Sequence, residues 1–104
     1  MLIDSHVHLE TFSMNEISEI MNRAKSAGIS GVISAGVDLQ TSKTSVKLSN
    51  KFNNIFSGVG IHPMNIPKKI NEEIFIQIHT LALQSEKVLV MSEIGLDFAE
   101  NALL

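Results

Sequence analysis

The 104-residue sequence has no cysteine, which excludes a disulfide scaffold, a metal site built from thiolates and a cysteine nucleophile. Its apolar runs fall well short of the ~20 residues that a membrane-spanning helix needs. It also has no excess of basic residues, because the net charge is −3. This argues against nucleic-acid binding through a broad basic surface. A site in which bound cations supply the positive charge stays open.

The beginning of the chain has no recognisable targeting signal. Leu2 and Ile3 lead directly into Asp4, without the basic and apolar stretches of a signal peptide. We therefore expect a cytoplasmic protein that does not associate with a membrane. The length fits one small domain over residues 1–104, and 44% apolar with 18% charged residues is typical of a globular chain.

Strand and helix patterns alternate along the chain. Ser13 and Glu16 have the spacing of a helix start, and Gly28 stands where that helix would end. A second helix, starting at Asp38 or Thr41, has only a thin apolar stripe. The strands start roughly 25 to 32 residues apart, which is the length of a βαβ unit. The pattern predicts an α/β fold with parallel strands at 1–7, 29–35, 55–61 and 87–93, and helices near 13–27, 38–51 and 71–84.

Two histidines end the first predicted strand. His6 and His8 lie two residues apart and therefore point to the same face, where both imidazoles can bind one cation. Asp4 lies on that face too and can support the site. The alternative is that both histidines are ordinary polar residues at a strand end. Their place at the carboxyl end of a strand favours ligands.

A second polar signal is the segment Gly60-Ile61-His62-Pro63. Phe56, Gly58, Gly60 and His62 share a face of the third strand, and the two glycines leave room for a ligand or another chain segment. His62 is either a site residue or a turn histidine held by Pro63.

The third signal is Glu93, which we expect on the same strand face as Leu89 and Met91. A carboxylate there is costly to bury unless it meets a cation, although a solvated strand-end glutamate is the alternative. Asp97 follows in a loop, where it either caps a helix or serves the site. Three strands thus place histidines and a carboxylate at one end of a sheet, a set that suits Zn²⁺, Mn²⁺ or Fe²⁺ better than Ca²⁺.

Read together, IDSHVHLE, GVGIHP and SEIGLD resemble the signatures of the TatD family of metal-dependent deoxyribonucleases, which are amidohydrolase-like (β/α)₈ barrels. The resemblance implies hydrolysis of DNA phosphodiester bonds by a water that two divalent ions activate, with Zn, Mg or Mn as the metal. It implies that His6 and His8 bind metal, that Glu93 bridges the two ions, and that His62 lies on the substrate side.

The chain also departs from the family. Glu10 stands where an Asp is frequent, Met64 stands where a second His is frequent, and two later histidines and a catalytic aspartate have no counterpart after Glu93. The general base is therefore expected to be missing. A complete barrel needs about 250 residues, so we expect the first half of a (β/α)₈ TIM barrel, incomplete and of reduced or no activity alone.

An incomplete barrel has two consequences. The first and fourth strands become open edges through which the chain can self-associate, and Phe56, Leu89 and Met91 lose their covering. The ends of these two strands are also expected to lie farther apart than in a closed barrel, so that Glu93 need not reach the histidines. Two alternatives remain: a non-catalytic half-barrel that associates through its edges, and an amidohydrolase that acts on a small molecule.

Overall fold

A computed structural model describes residues 1–69 and 71–98. Its four strands form one parallel sheet in the order β1-β2-β3-β4. One helix lies in each connection between successive strands, which confirms the predicted α/β fold. The strands are β1 (Leu2–Val7), β2 (Ile29–Ala35), β3 (Ile55–Val59) and β4 (Val88–Met91), and the helices are α1 (Met14–Ser26), α2 (Leu39–Lys51) and α3 (Glu72–Gln84). Among these described helices, none is both long and apolar enough to cross a membrane.

Local signals set the starts of the first two helices. The Ser13 hydroxyl accepts a hydrogen bond from the backbone N–H of Glu16 at 3.2 Å, and Gly28 ends the turn after α1 with φ +91°. At α2, Asp38 is the N-cap and Thr41 completes a capping box, because each side chain accepts from the other residue's backbone N–H. Both helices thus begin where the sequence predicts.

Helix α2 packs on the sheet through serines rather than through an apolar stripe. Ser42, Ser45 and Ser49 are fully buried, and Ser34 of β2 and Ser57 of β3 face them. The hydroxyls of Ser45 and Ser34 lie 3.4 Å apart, as do those of Ser49 and Ser57. Short side chains let the helix approach the sheet closely, and hydrogen bonding offsets the cost of burying their oxygens. This explains why apolar periodicity indicates α2 so weakly.

The apolar core forms two clusters that α2 joins. Leu48 of α2 packs in the first cluster with residues of β2, β3 and α1, and Val46 packs in the second with residues of β3 and α3. Their buried members are Leu9, Ile17, Met21, Val32, Leu48 and Ile55 in the first, and Val46, Val59, Ile78 and Leu81 in the second.

A lysine ties the start of β4 to the end of α2. The Lys87 Nζ donates hydrogen bonds to the carbonyl oxygens of Ser49 and Phe52 and lies 5.1 Å from the centre of the Phe56 ring. Burial lowers the pKa of this amine from its ordinary value. Phe56 is only partly exposed, whereas the sequence predicted that its covering would be lost.

The two edge strands are open, as predicted. Most of β1 and β4 is exposed, while β2 and β3 are largely buried. Leu89 and Met91 are 53% and 50% exposed. Unpaired strand edges with exposed apolar side chains favour association with another chain.

Two strands end earlier than predicted. β3 ends at Val59 rather than residue 61, and β4 ends at Met91 rather than residue 93. Glu93 has φ +62°, which is incompatible with a strand. It therefore follows β4 and does not share a strand face with Leu89 and Met91, so that part of the prediction is wrong.

Candidate metal centre

The side chains of His6, His8 and Glu93 converge at the carboxyl end of the sheet. Glu93 Oε1 lies 2.9 Å from His6 Nε2 and 3.6 Å from His8 Nε2, and the two Nε2 atoms lie 3.2 Å apart. One ligand atom from each residue can be chosen so that all lie within 4.8 Å of one another. The sequence-predicted ligand set is thus brought together, and Glu93 does not point outward among the helices.

This convergence links opposite edges of the sheet. Three interstrand steps separate β1 from β4, which in a flat sheet amounts to about 14 Å. Twist and curvature of the sheet, together with the reach of His and Glu side chains, remove that separation at the carboxyl end. Glu93 thus reaches the histidines in this open sheet, while the expectation that the two strand ends lie farther apart than in a closed barrel stays a prediction.

The hydrogen bonds of His8 determine which nitrogen faces the cluster. His8 Nδ1 lies 2.8 Å from the carbonyl oxygen of Ala35. Because a carbonyl oxygen can only accept, Nδ1 is the donor, and the lone pair of the neutral ring lies on Nε2. That is the atom next to His6 and Glu93. A ring held by an outer hydrogen bond of this type is the usual arrangement of a metal-binding histidine.

Glu10 lies behind His8. Its side chain is 8% exposed, and Oε1 lies 3.7 Å from His8 Nδ1. Within the described residues, the buried Oε2 atom has no hydrogen-bond partner. Sequence reasoning noted Glu10 only as a departure from the family pattern, yet its carboxylate contributes to the environment of a predicted ligand.

Asp4 acts on the backbone. Its Oδ1 accepts a hydrogen bond from the N–H of His6 at 3.2 Å. The pairing of β1 with β2 is irregular between Asp4 and Val7, so this side chain serves an N–H where the ladder is interrupted. Asp4 thus holds the backbone of the segment that carries His6, while its support of a bound metal stays a prediction.

His62 reaches the other oxygen of Glu93. Its Nε2 lies 3.8 Å from Glu93 Oε2, and its Nδ1 accepts a hydrogen bond from the N–H of Met64 at 3.0 Å. The neutral ring therefore carries its hydrogen on Nε2, so His62 presents a donor to the site rather than a lone pair. The 3₁₀ turn Pro63–Asn65 holds this orientation. His62 is therefore a turn histidine whose ring also faces Glu93.

The room that Gly58 and Gly60 leave is occupied by the chain itself. A Cβ at Gly58 would lie 2.8 Å from a methyl carbon of Val90, and a Cβ at Gly60 would lie 1.9 Å from the carbonyl oxygen of Ser92. The two glycines therefore let β4 and the segment after it approach β3. Of the two sequence interpretations of these glycines, room for a ligand or room for another chain segment, the second is confirmed.

Asp97 is half-buried and follows Gly95, which has φ +155°. Its assignment as a helix cap or a site residue stays a prediction.

Sequence reasoning missed the Ala35 carbonyl, because a backbone acceptor leaves no residue-type signal. It also missed Ser92, whose only signal is its place next to Glu93.

The donor set fits a divalent cation of the Zn²⁺, Mn²⁺ or Fe²⁺ type. Two imidazoles and a carboxylate are the ligands that these ions take. The Glu93 side chain is only 13% exposed, and a cation there offsets the cost of burying its charge. A parallel α/β sheet with such a cluster at the carboxyl ends of its strands is the arrangement of a metal-dependent enzyme of the barrel type.

The comparisons with known proteins specify the class further. The family of TatD related DNases matches residues 3–102, so the chain belongs to that family. An uncharacterized metal-dependent hydrolase of Buchnera aphidicola (subsp. Baizongia pistaciae) is 28% identical over 96% of this chain and 38% of its own length. The 3'-5' ssDNA/RNA exonuclease TatD of Escherichia fergusonii is 34% identical over 80% of this chain and 31% of its own length.

The fold comparison agrees. The crystal structure of YJJV, a TatD homologue from Escherichia coli K12, matches with a TM-score of 0.79 and 23% identity, over 93% of this chain and 38% of that chain. The present fold is thus four parallel strands and three helices of a TatD-type barrel, in an open sheet. The chain spans well under half the length of the relatives that it matches.

Proposed function

We propose that this chain forms the metal-binding first part of a hydrolase that cleaves DNA phosphodiester bonds. The observation that carries the proposal is the contact of Glu93 with both His6 and His8 across the full width of the sheet. A side chain this buried, pointing at two imidazoles of which His8 is oriented by an outer hydrogen bond to the Ala35 carbonyl, is better explained by a shared cation than by sheet stability. The relatives named as exonucleases of ssDNA and RNA support a single-stranded nucleic acid as substrate.

Each residue of the cluster would have its own role in this reaction. His6 and His8 would hold a cation through Nε2, and the Glu93 carboxylate, which has one oxygen near the histidine pair and the other near His62, would be shared between two ions. Divalent cations bound there would activate a water as the nucleophile and offset the charge of the phosphate. His62 would donate its Nε2 hydrogen to a phosphate oxygen. The general base is expected from outside this chain, as are the remaining metal ligands.

The first experiment measures metal binding by the 104-residue chain. We expect Mn²⁺ or Zn²⁺ to bind in isothermal titration, and His8→Ala to weaken binding at least tenfold, because it removes one of three ligands. His79→Ala is the matched control, since His79 is exposed on α3. Equal affinity of wild type and His8→Ala, or no binding at all, contradicts the proposal.

The second experiment measures cleavage. Labelled single-stranded DNA is incubated with the chain and Mn²⁺ or Mg²⁺. Binding of metal with little or no cleavage agrees with a chain that lacks the general base, while cleavage that His6→Ala abolishes means that the residues of this chain suffice. A parallel panel of small amides separates the nuclease from a small-molecule amidohydrolase, because only the latter would hydrolyse them.

A second candidate is association of the chain with a second copy of itself. The exposed edges of β1 and β4, with Leu89 and Met91 beside them, favour it. Light scattering across a concentration series is the test. A monomer at all concentrations refutes self-association and leaves the metal site unaffected.

A further inference from the structure

We propose that Ser92 is a positioning residue, which acts on the metal centre by fixing the place and conformation of Glu93. The proposal rests on the function proposed above only in that Glu93 is taken as a ligand. Ser92 is 7% exposed, and its hydroxyl has a partner away from the cluster. Ser92 is therefore not itself a ligand, and its effect on the metal has to pass through the residues that it holds, of which Glu93 is the one bonded to it.

Ser92 is held to two other segments of the sheet. Its backbone N–H donates to the carbonyl oxygen of Val59 at 2.9 Å, which extends the β3–β4 ladder one step past the end of β4. Its Oγ donates to the carbonyl oxygen of Gly36 at 3.0 Å, directly after β2. The hydroxyl thus joins the end of β4 to the end of a strand that is not its neighbour in the sheet.

The carbonyl group of Ser92 is held as well. It lies against Gly60, where even a methyl group would be 1.9 Å from the oxygen. The peptide unit between Ser92 and Glu93 therefore has little freedom. Since this peptide unit includes the backbone nitrogen of Glu93, the contacts of Ser92 determine where that nitrogen lies.

Glu93 needs such support because its conformation is unfavourable. A φ of +62° at a non-glycine residue persists only where the surroundings impose it. The same residue directs its carboxylate to His6, His8 and His62. If the peptide before it were released, an extended φ would become accessible and the carboxylate would leave the histidines.

The test is metal affinity in a double-mutant cycle. Loss of an outer residue that orients a ligand typically weakens metal binding about 10- to 100-fold, and we expect Ser92→Ala to fall in that range. Ser30→Ala is the matched control, because Ser30 is exposed at the other end of the sheet. In a Glu93→Ala background, Ser92→Ala should change affinity by less than about threefold, since nothing remains for it to position.

The outcomes separate this proposal from its alternatives. Equal losses in both backgrounds mean that Ser92 does not act through Glu93, which overturns the proposal, and so does an unchanged affinity of Ser92→Ala in the wild-type background. A wild-type chain that binds no metal refutes the proposed function instead. Positioning is then judged without metal, from the side-chain nitrogen resonances of the three histidines. They should shift in Ser92→Ala but not in Ser30→Ala, and unchanged resonances overturn the proposal.

Discussion

Replacement of Gly60 by alanine tests how the end of β4 is held against β3. The new Cβ would lie 1.9 Å from the carbonyl oxygen, 2.9 Å from the carbonyl carbon and 3.2 Å from the nitrogen of Ser92. Carbon and oxygen atoms in ordinary contact are about 3.4 Å or more apart, so one backbone segment must move by about 1.5 Å. The clashing atoms belong to the backbone and cannot rotate away.

The expected cost follows from this displacement. Overpacking a well-packed site costs typically about 1–3 kcal/mol, and a backbone clash belongs at or above the upper end of that range. We therefore expect Gly60→Ala to lower the free energy of unfolding by about 3 kcal/mol. The movement would also displace Glu93, so metal affinity should fall together with stability.

Urea unfolding, followed by circular dichroism, measures the effect. Gly31→Ala is the control, because its Cβ would meet no atom closer than 3.3 Å and the site lies in β2, away from the histidines. We expect the control to change stability by less than about 1 kcal/mol. A Gly60→Ala variant as stable as Gly31→Ala would show that β4 is not packed against β3 as described, and the account of Glu93 would fail with it.

Two further variants test the connections that hold α2. Asp38→Ala removes an acceptor that serves both the N–H and the hydroxyl of Thr41. Thermal or urea unfolding should show that the free energy of unfolding falls by about 1–2 kcal/mol, which is more than Ser13→Ala should cost. Equal losses for the two variants would contradict the capping box. Lys87→Met keeps the aliphatic stem but removes two hydrogen bonds to carbonyl groups at the end of α2, and we expect unfolding to show a loss of about 1–3 kcal/mol. The exposed Lys47→Met is its control, and a comparable loss there would assign the effect to the helix surface.

Most of the fold could be predicted because its signals are local. The helix starts at Ser13 and Asp38, and the turn at Gly28, depend on side chains and dihedral angles within a few residues. α2 was the weak point, since its buried face is made of serines such as Ser45. A buried face made of serines can be recognised only when the strands that it packs against are known.

The site was predictable in its members but not in its geometry. The spacing of His6 and His8 predicts convergence, and chain order places Glu93 at the same end of the sheet. The positive φ of Glu93, the acceptor at Ala35 and the anchor at Ser92 depend on contacts between segments distant in sequence. Periodicity carries no information on such contacts.

At Glu93, the backbone conformation favours glycine, whereas the proposed metal site requires a carboxylate. Glycine adopts a left-handed φ at much lower cost, so Glu93→Gly would relieve that local strain while it deletes the carboxylate. The residue most needed at the centre is thus one that selection for a more robust fold alone would exchange for glycine. At this position, the substitution that favours the backbone would therefore remove the proposed metal ligand.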